Sequence, residues 1–191
     1  MVSPRLELNL NLTPTRRFDL IDVNEQVTEE FGDVLARYRK ALYYSYHTTA
    51  GYFEQSFCER LDYSRDMISK VVRYFQTLFP PDADYRHDCL ELREELSEEQ
   101  KLIEPRNADS HLTFIGSGLM NCVTYVNQPA TPVFFVDLDG VYKTTTRRRH
   151  TTVIGFNREE TVQELWRDIP VSAHPIDSVS LRDPRLGLFE E

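Results

Sequence analysis

Residues 56–78 carry Leu61, Ser64, Ile68, Val71, Val72, Phe75 and Leu78 at i, i+3, i+4 spacing, and Pro80-Pro81 follows at once. That spacing lays one apolar stripe along a helix, and a double proline cannot continue it. Such a stripe must be buried against something, and the rest of the chain offers a different period. Residues 5–12 alternate Leu6, Leu8, Leu10 and Leu12 with Glu7, Asn9 and Asn11, the pattern of a half-buried strand. Residues 18–23, 41–47, 119–126, 133–138 and 147–156 also read as strands. Strands on both sides of a dominant helix make this an α+β protein.

Thr13-Pro14-Thr15 predicts a turn that lets the first two strands pair as an antiparallel hairpin. From Asn24, as N-cap, a helix is predicted through Val27, Phe31, Val34, Leu35 and Tyr38, with Gly32 as a weak point. In residues 41–47, Leu42, Tyr44 and Tyr46 share a face, and the strand delivers His47 to its end. Glu91, Glu94, Glu95, Glu98 and Glu99 make residues 91–101 a solvated acidic stretch, helical at its start. Asn107 and Ser110 cap a short helix carrying His111, Leu112 and Ile115, which Gly116-Ser117-Gly118 ends. Asp139-Gly140 is a turn between the last two strands. Val162, Leu165 and Trp166 suggest a final helix over residues 161–167, before an irregular tail rich in proline.

At 191 residues the expected organisation is one domain, residues 1–157, with an appendage over 158–191. The 31 acidic and 22 basic residues give a formal net charge of −9, which opposes general attraction to nucleic acid or anionic lipid. The one dense basic run, Arg147-Arg148-Arg149, is too short for a nucleic-acid arm. No segment approaches the roughly 18 apolar residues of a membrane span, and a signal-peptide layout is missing, so a cytoplasmic protein is expected. Cys58, Cys89 and Cys122 are odd in number and widely spaced, which argues for free thiols.

Three segments could carry chemistry. In His47-Thr48-Thr49-Ala50-Gly51, a strand end ahead of a helix would expose backbone N–H groups. Two hydroxyls would add donors, and Gly51 would allow close approach by an anion such as phosphate. The alternative is a plain strand-ending turn with local threonine caps. Tyr85-Arg86-His87-Asp88 sets a carboxylate beside an imidazole, which fixes a tautomer or adds a metal ligand. An exposed loop pair is the ordinary outcome. Asn107-Ala108-Asp109-Ser110-His111 places a histidine near a helix start, where the neutral, metal-ligating form is favoured. No local zinc signature joins the three histidines. His150 and His174 read as surface residues without a role.

Taken in order, these segments resemble the YjbQ-like family, also described as secondary thiamine-phosphate synthase. The resemblance rests on residues 47–51, on the Tyr-x-His-Asp at 85–88, and on Asn107 through His111-Leu112 followed by Gly116, and it covers residues 5–156. It implies a compact α+β unit with a mixed or antiparallel sheet packed by two main helices, assembled as a homotrimer. The apolar strands 119–126 and 133–138 offer more hydrophobic surface than one small sheet needs, which agrees with such assembly. The resemblance further implies that His47, His87 and His111 share a pocket for a divalent metal, zinc or magnesium, or for an oxyanion. Thr48, Thr49, Asp88 and Asn107 lie alongside. The implied reaction is weak coupling of an aminopyrimidine pyrophosphate to a thiazole phosphate.

The chain departs from that pattern in four places. Tyr125 to Val136 contains no Trp-Gln pair; Asp137 stands where the family has glutamate; Asp139-Gly140-Val141 stands where the family has an Asp-Gly-Pro-Arg turn; and residues 86–105 are longer than the family pattern. Three functions remain open on these grounds. One is a transferase whose phosphate is cradled by the threonine turn and by Arg147 or Arg149. Another is a non-catalytic binding protein that keeps the histidine pocket for a metal or a phosphorylated small molecule and uses the acidic insertion and the tail to contact a partner. The third is a metal-dependent hydrolase with Asp88 or Asp137 positioning water.

Overall fold

The computed structural model describes residues 5–128 and 130–157. The elements in chain order are β1 (Leu6–Leu12), β2 (Asp19–Asp22), α1 (Val23–Phe31), β3 (Lys40–Ser45), β4 (Ala50–Gly51), α2 (Gln55–Arg60) and α3 (Arg65–Leu78). They continue with α4 (Glu98–Ile103), α5 (Ala108–Ser117), β5 (Cys122–Val126), β6 (Phe134–Asp137), β7 (Val141–Tyr142), β8 (Thr145–Thr146) and β9 (Arg149–Phe156). The expected helix over 161–167, with Trp166, and the tail with His174 lie outside the described residues. Among the described residues, no helix is long and apolar enough to cross a membrane.

The fold is α+β, and every strand pairing is antiparallel. One sheet runs β1-β9-β3-β5, a second runs β2-β6-β4, and β7-β8 form a small hairpin. β1 follows its alternation, burying Leu8, Leu10 and Leu12 in register against β9. β1 and β2 do not pair as a hairpin; they belong to different sheets. The Asp19 carboxylate accepts hydrogen bonds from the Thr15 backbone N–H at 2.8 Å and its hydroxyl at 2.9 Å, and this turn carries the chain across.

Helix boundaries moved where polar groups intervene. α1 is capped by Asp22 rather than Asn24: the Asp22 carboxylate accepts from the backbone of Asn24, Glu25 and Val133. Gly32, at φ +72°, stops it, so Val34 and Leu35 fall in a separate 3-10 turn. The predicted helix over 56–78 is two helices. Asp62 and Tyr63 both take φ +50°, and Ser64 then caps α3 through the Met67 N–H. In the acidic stretch the start, expected to be helical, forms a 3-10 turn, Leu90–Leu92, and the α-helix lies at the end, as α4 with its Ser97–Gln100 capping box. Gly118 ends α5 in the left-handed region, while Gly116 lies inside the helix.

The core joins both sheets to Ile68 and Val72 of α3 and Phe114 of α5. β6 is buried along its whole length between β2 and β4. Its apolar character is therefore used within the chain, and it gives no ground for a trimer interface. At the outer edge of the first sheet, the Gln55 carboxamide accepts from Val126 N–H at 2.7 Å and donates to Val126 C=O at 3.2 Å.

Residues 46–49 turn from β3 into β4, so the His47 segment links two sheets and does not open a helix. Ser45 and Asn121 hold it: the Ser45 hydroxyl donates to Ala50 C=O at 2.6 Å, and the Asn121 amide donates to His47 C=O at 2.5 Å. What approaches Gly51 is protein. A Cβ there would lie 2.4 Å from the Met120 carbonyl oxygen and 2.9 Å from the Phe114 ring. That carbonyl is fixed by reciprocal Tyr52–Met120 backbone bonds, each 2.8 Å. Gly51→Ala is accordingly expected to lose about 1–3 kcal/mol in urea unfolding, because neither side can yield; an unchanged midpoint would contradict this.

Candidate functional site

The segments singled out in the sequence meet around the C-terminal end of β6. Leu138 N–H donates to Thr49 C=O at 3.0 Å, and the Ser110 hydroxyl donates to Leu138 C=O at 2.8 Å. The β3–β4 link and the first turn of α5 are thereby fastened to the same residue. Arg147 N–H closes on Gly140 C=O, and Gly140 N–H on Arg17 C=O, which brings in the start of β9 and the β1–β2 link.

Beneath the surface lies a layer of paired charges. Asp137 is 0% and Arg149 3% exposed. The guanidinium donates to both carboxylate oxygens, Nε to Oδ2 at 2.7 Å and Nη2 to Oδ1 at 2.8 Å. Arg149 Nη2 also donates to Asp139 C=O at 2.8 Å and to the Thr49 hydroxyl at 3.4 Å. Burial raises the Asp137 pKa, and the Arg149 ion pair pulls it back. Asp137, Arg149 and Thr49, all expected to touch a ligand, instead form the closed floor of the site.

Asp139 adjoins this floor and is fully buried. Its Oδ2 accepts from Asn107 Nδ2 at 2.8 Å and forms an ion pair with Arg147 Nη2 at 3.1 Å. Asn107 is therefore the N-cap of α5 by position only, since its side chain serves Asp139. Arg17 reaches the same helix start, donating to Asp109 Oδ1 at 2.7 Å.

The imidazoles fall into two pairs, His87 with His111 and His47 with His150. The His87 Nδ1 lies 3.0 Å from Asp88 Oδ1, and that oxygen also accepts the Ala108 N–H at 3.0 Å. The oxygen acts as acceptor, so His87 Nδ1 carries the proton and Nε2 keeps the lone pair. The His87 and His111 rings are 5.1 Å apart. Burial, then the neighbouring His87, lowers the His111 pKa, with Arg147 adding to the shift and Asp139 and Asp88 opposing it. Burial, Arg149, His150 and Arg147 together lower His47 to about 4. Arg147 is thus electrostatically felt by both His47 and His111.

His47 and His150 face one another, their rings 6.4 Å apart, and His47 Nε2 accepts the His150 N–H at 2.8 Å. His150, read as a surface residue, is exposed, and it is its backbone N–H and ring that meet His47. Asp139, Arg17 and Asp109 were also missed as site residues; the Asp137-x-Asp139 alternation after a wholly apolar strand was the available signal. The residues present do not fit a zinc or magnesium ion. His47 already uses Nε2 on the backbone, and among the described residues no group of three His, Cys, Asp or Glu is placed to hold a metal.

Two antiparallel sheets with α3 and α5 packed together define a class seen in solved structures. A YbjQ-like protein of unknown function from Sulfolobus solfataricus P2 has TM-score 0.52 and 17% identity, covering 81% of this chain and 99% of that one. A hypothetical protein from Aeropyrum pernix K1 has TM-score 0.51 and 16% identity, covering 80% and 99%. An uncharacterised YjbQ/UPF0047-family protein from Clostridium acetobutylicum has TM-score 0.48 and 17% identity, covering 76% and 97%. No family model matches this chain, and no curated protein does. The fold is that of the YbjQ-like protein, as the sequence motifs imply, and at these identities the likeness is one of fold.

Proposed function

We propose that the chain is a divergent YjbQ-like protein that binds the phosphoryl group of a small molecule at Arg147, His47, His87, His111 and the exposed Thr48. The observation that carries this reading is Arg147. Its guanidinium is anchored on buried Asp139, is 31% exposed, and acts on His47 and His111 together. An anchored guanidinium among imidazoles is a recognisable setting for a tetrahedral dianion. The locked Asp137–Arg149 pair and the missing Trp-Gln segment favour binding over coupling of two heterocycles.

The electrostatics give a signed test. Positive neighbours contribute to the lowered pKa of His111, and a bound dianion offsets them, so that value rises and binding takes up protons; His47 Nε2 is held as an acceptor by the His150 N–H and takes no part in the uptake. The window lies below the ordinary imidazole value of about 6.5. Sulfate, a dianion throughout this range, should bind more tightly by calorimetry as the pH falls from about 7 to about 5. Arg147→Ala should weaken it about tenfold or more. Affinity that ignores both pH and Arg147 would overturn the reading.

A further inference from the structure

We propose that His87 is a nucleophile that accepts a phosphoryl group from a phosphomonoester, which makes this site a metal-independent phosphatase passing through a phosphohistidine. The inference rests on the phosphoryl-binding reading above and adds the bond that changes. The hydrogen bonds determine which nitrogen can react. Asp88 Oδ1 accepts from both Ala108 N–H and His87 Nδ1–H, at 3.0 Å each, so the His87 lone pair is on Nε2. The Asp88 side chain is 10% exposed while that of His87 is 39% exposed. The orienting carboxylate is therefore shielded by the start of α5, and the imidazole it orients faces solvent. A carboxylate behind an imidazole fixes the tautomer and stabilises positive charge as the ring is substituted. His111 lies ring to ring with His87 at 5.1 Å, close enough to serve the oxygen that leaves.

In the first step the Nε2 lone pair of His87 forms a bond to phosphorus and the P–O bond to the alcohol breaks. The proton brought by the monoanionic ester passes through His111 to the leaving oxygen. In the second step water attacks phosphorus, the P–N bond breaks, and its electron pair returns to Nε2. The water proton passes through His111 and departs with phosphate. No oxidant, reductant or metal is required.

The test uses the full chain with two substrates, p-nitrophenyl phosphate and a simple alkyl phosphate, quenched into alkali and analysed by peptide mass spectrometry. A phosphoryl group stable to base and labile to acid is expected on His87, and none in His87→Asn. Asp88→Asn should slow its formation about a hundredfold. His111→Gln should slow alcohol release from the alkyl ester far more than from the nitrophenyl ester, whose leaving group needs no proton. Sulfate binding is measured on the same samples. Intact sulfate binding with no phosphoenzyme overturns this inference and leaves the binding reading standing; loss of sulfate binding in the wild type overturns both. Turnover retained in His87→Asn also overturns the inference.

Discussion

Arg149→Met is expected to destabilise the protein by about 3–5 kcal/mol, because it strands the Asp137 carboxylate in the interior. Asp137 is 0% exposed, and two of the hydrogen bonds it accepts come from Arg149. The same variant removes donors from Asp139 C=O and the Thr49 hydroxyl, so the β3–β4 link loosens from β9 as well. The double variant Asp137→Leu/Arg149→Met should lose much less than the sum of the single losses, since neither charge is then left unpaired. Urea unfolding at neutral pH measures all three. A single-variant loss below about 1 kcal/mol would place the pair in the range of solvent-exposed ion pairs and refute the buried floor.

Thiamine-phosphate synthesis is expected to be no faster in the wild type than in His47→Ala. The acidic residue ahead of the Asp139-Gly140 turn is an aspartate, one methylene shorter than glutamate, and it is held by Arg149 below the surface. Catalytic groups tolerate little displacement; about 1 Å can cost on the order of a hundredfold in rate. Robust product formation from the pyrimidine pyrophosphate and thiazole phosphate, lost in His47→Ala, would show that the floor opens during turnover.

The sequence was most legible where one period held. β1 needed only its four leucines, and α5 its glycine ending. The break between α2 and α3 was hidden because Leu61 and Ser64 keep the helical phase while Asp62 and Tyr63 leave it through their backbones. β4, only two residues long, is too short to show an alternation, so the His47 segment looked like the entrance to a helix. The site residues split along a different line. His87, Asp88 and His111 stood out as candidates because their segments, Tyr85 to Asp88 and Asn107 to His111, carry the family resemblance. Asp139 was concealed by its aspartate-glycine context, which also suits a simple turn. His150 was concealed because nothing local shows that its N–H reaches His47, 103 positions away. Burial separates an exposed threonine such as Thr48 from a buried one such as Thr49, and adjacent identical residues cannot reveal it in sequence.

The Gln55 carboxamide satisfies both main-chain groups of Val126, as the peptide unit of a neighbouring strand would. To an incoming extended segment, this end of β5 is already taken. Strand-by-strand growth of the sheet from that margin, the route by which exposed edges recruit other chains into aggregates, meets a side chain occupying the docking register. The opposite margin, β1, defends itself by other means: Glu7, Asn9 and Asn11 are outward-facing polar groups between its buried leucines. The two borders of one sheet thus resist self-association through unrelated devices, and a substitution that disarms one leaves the other in force.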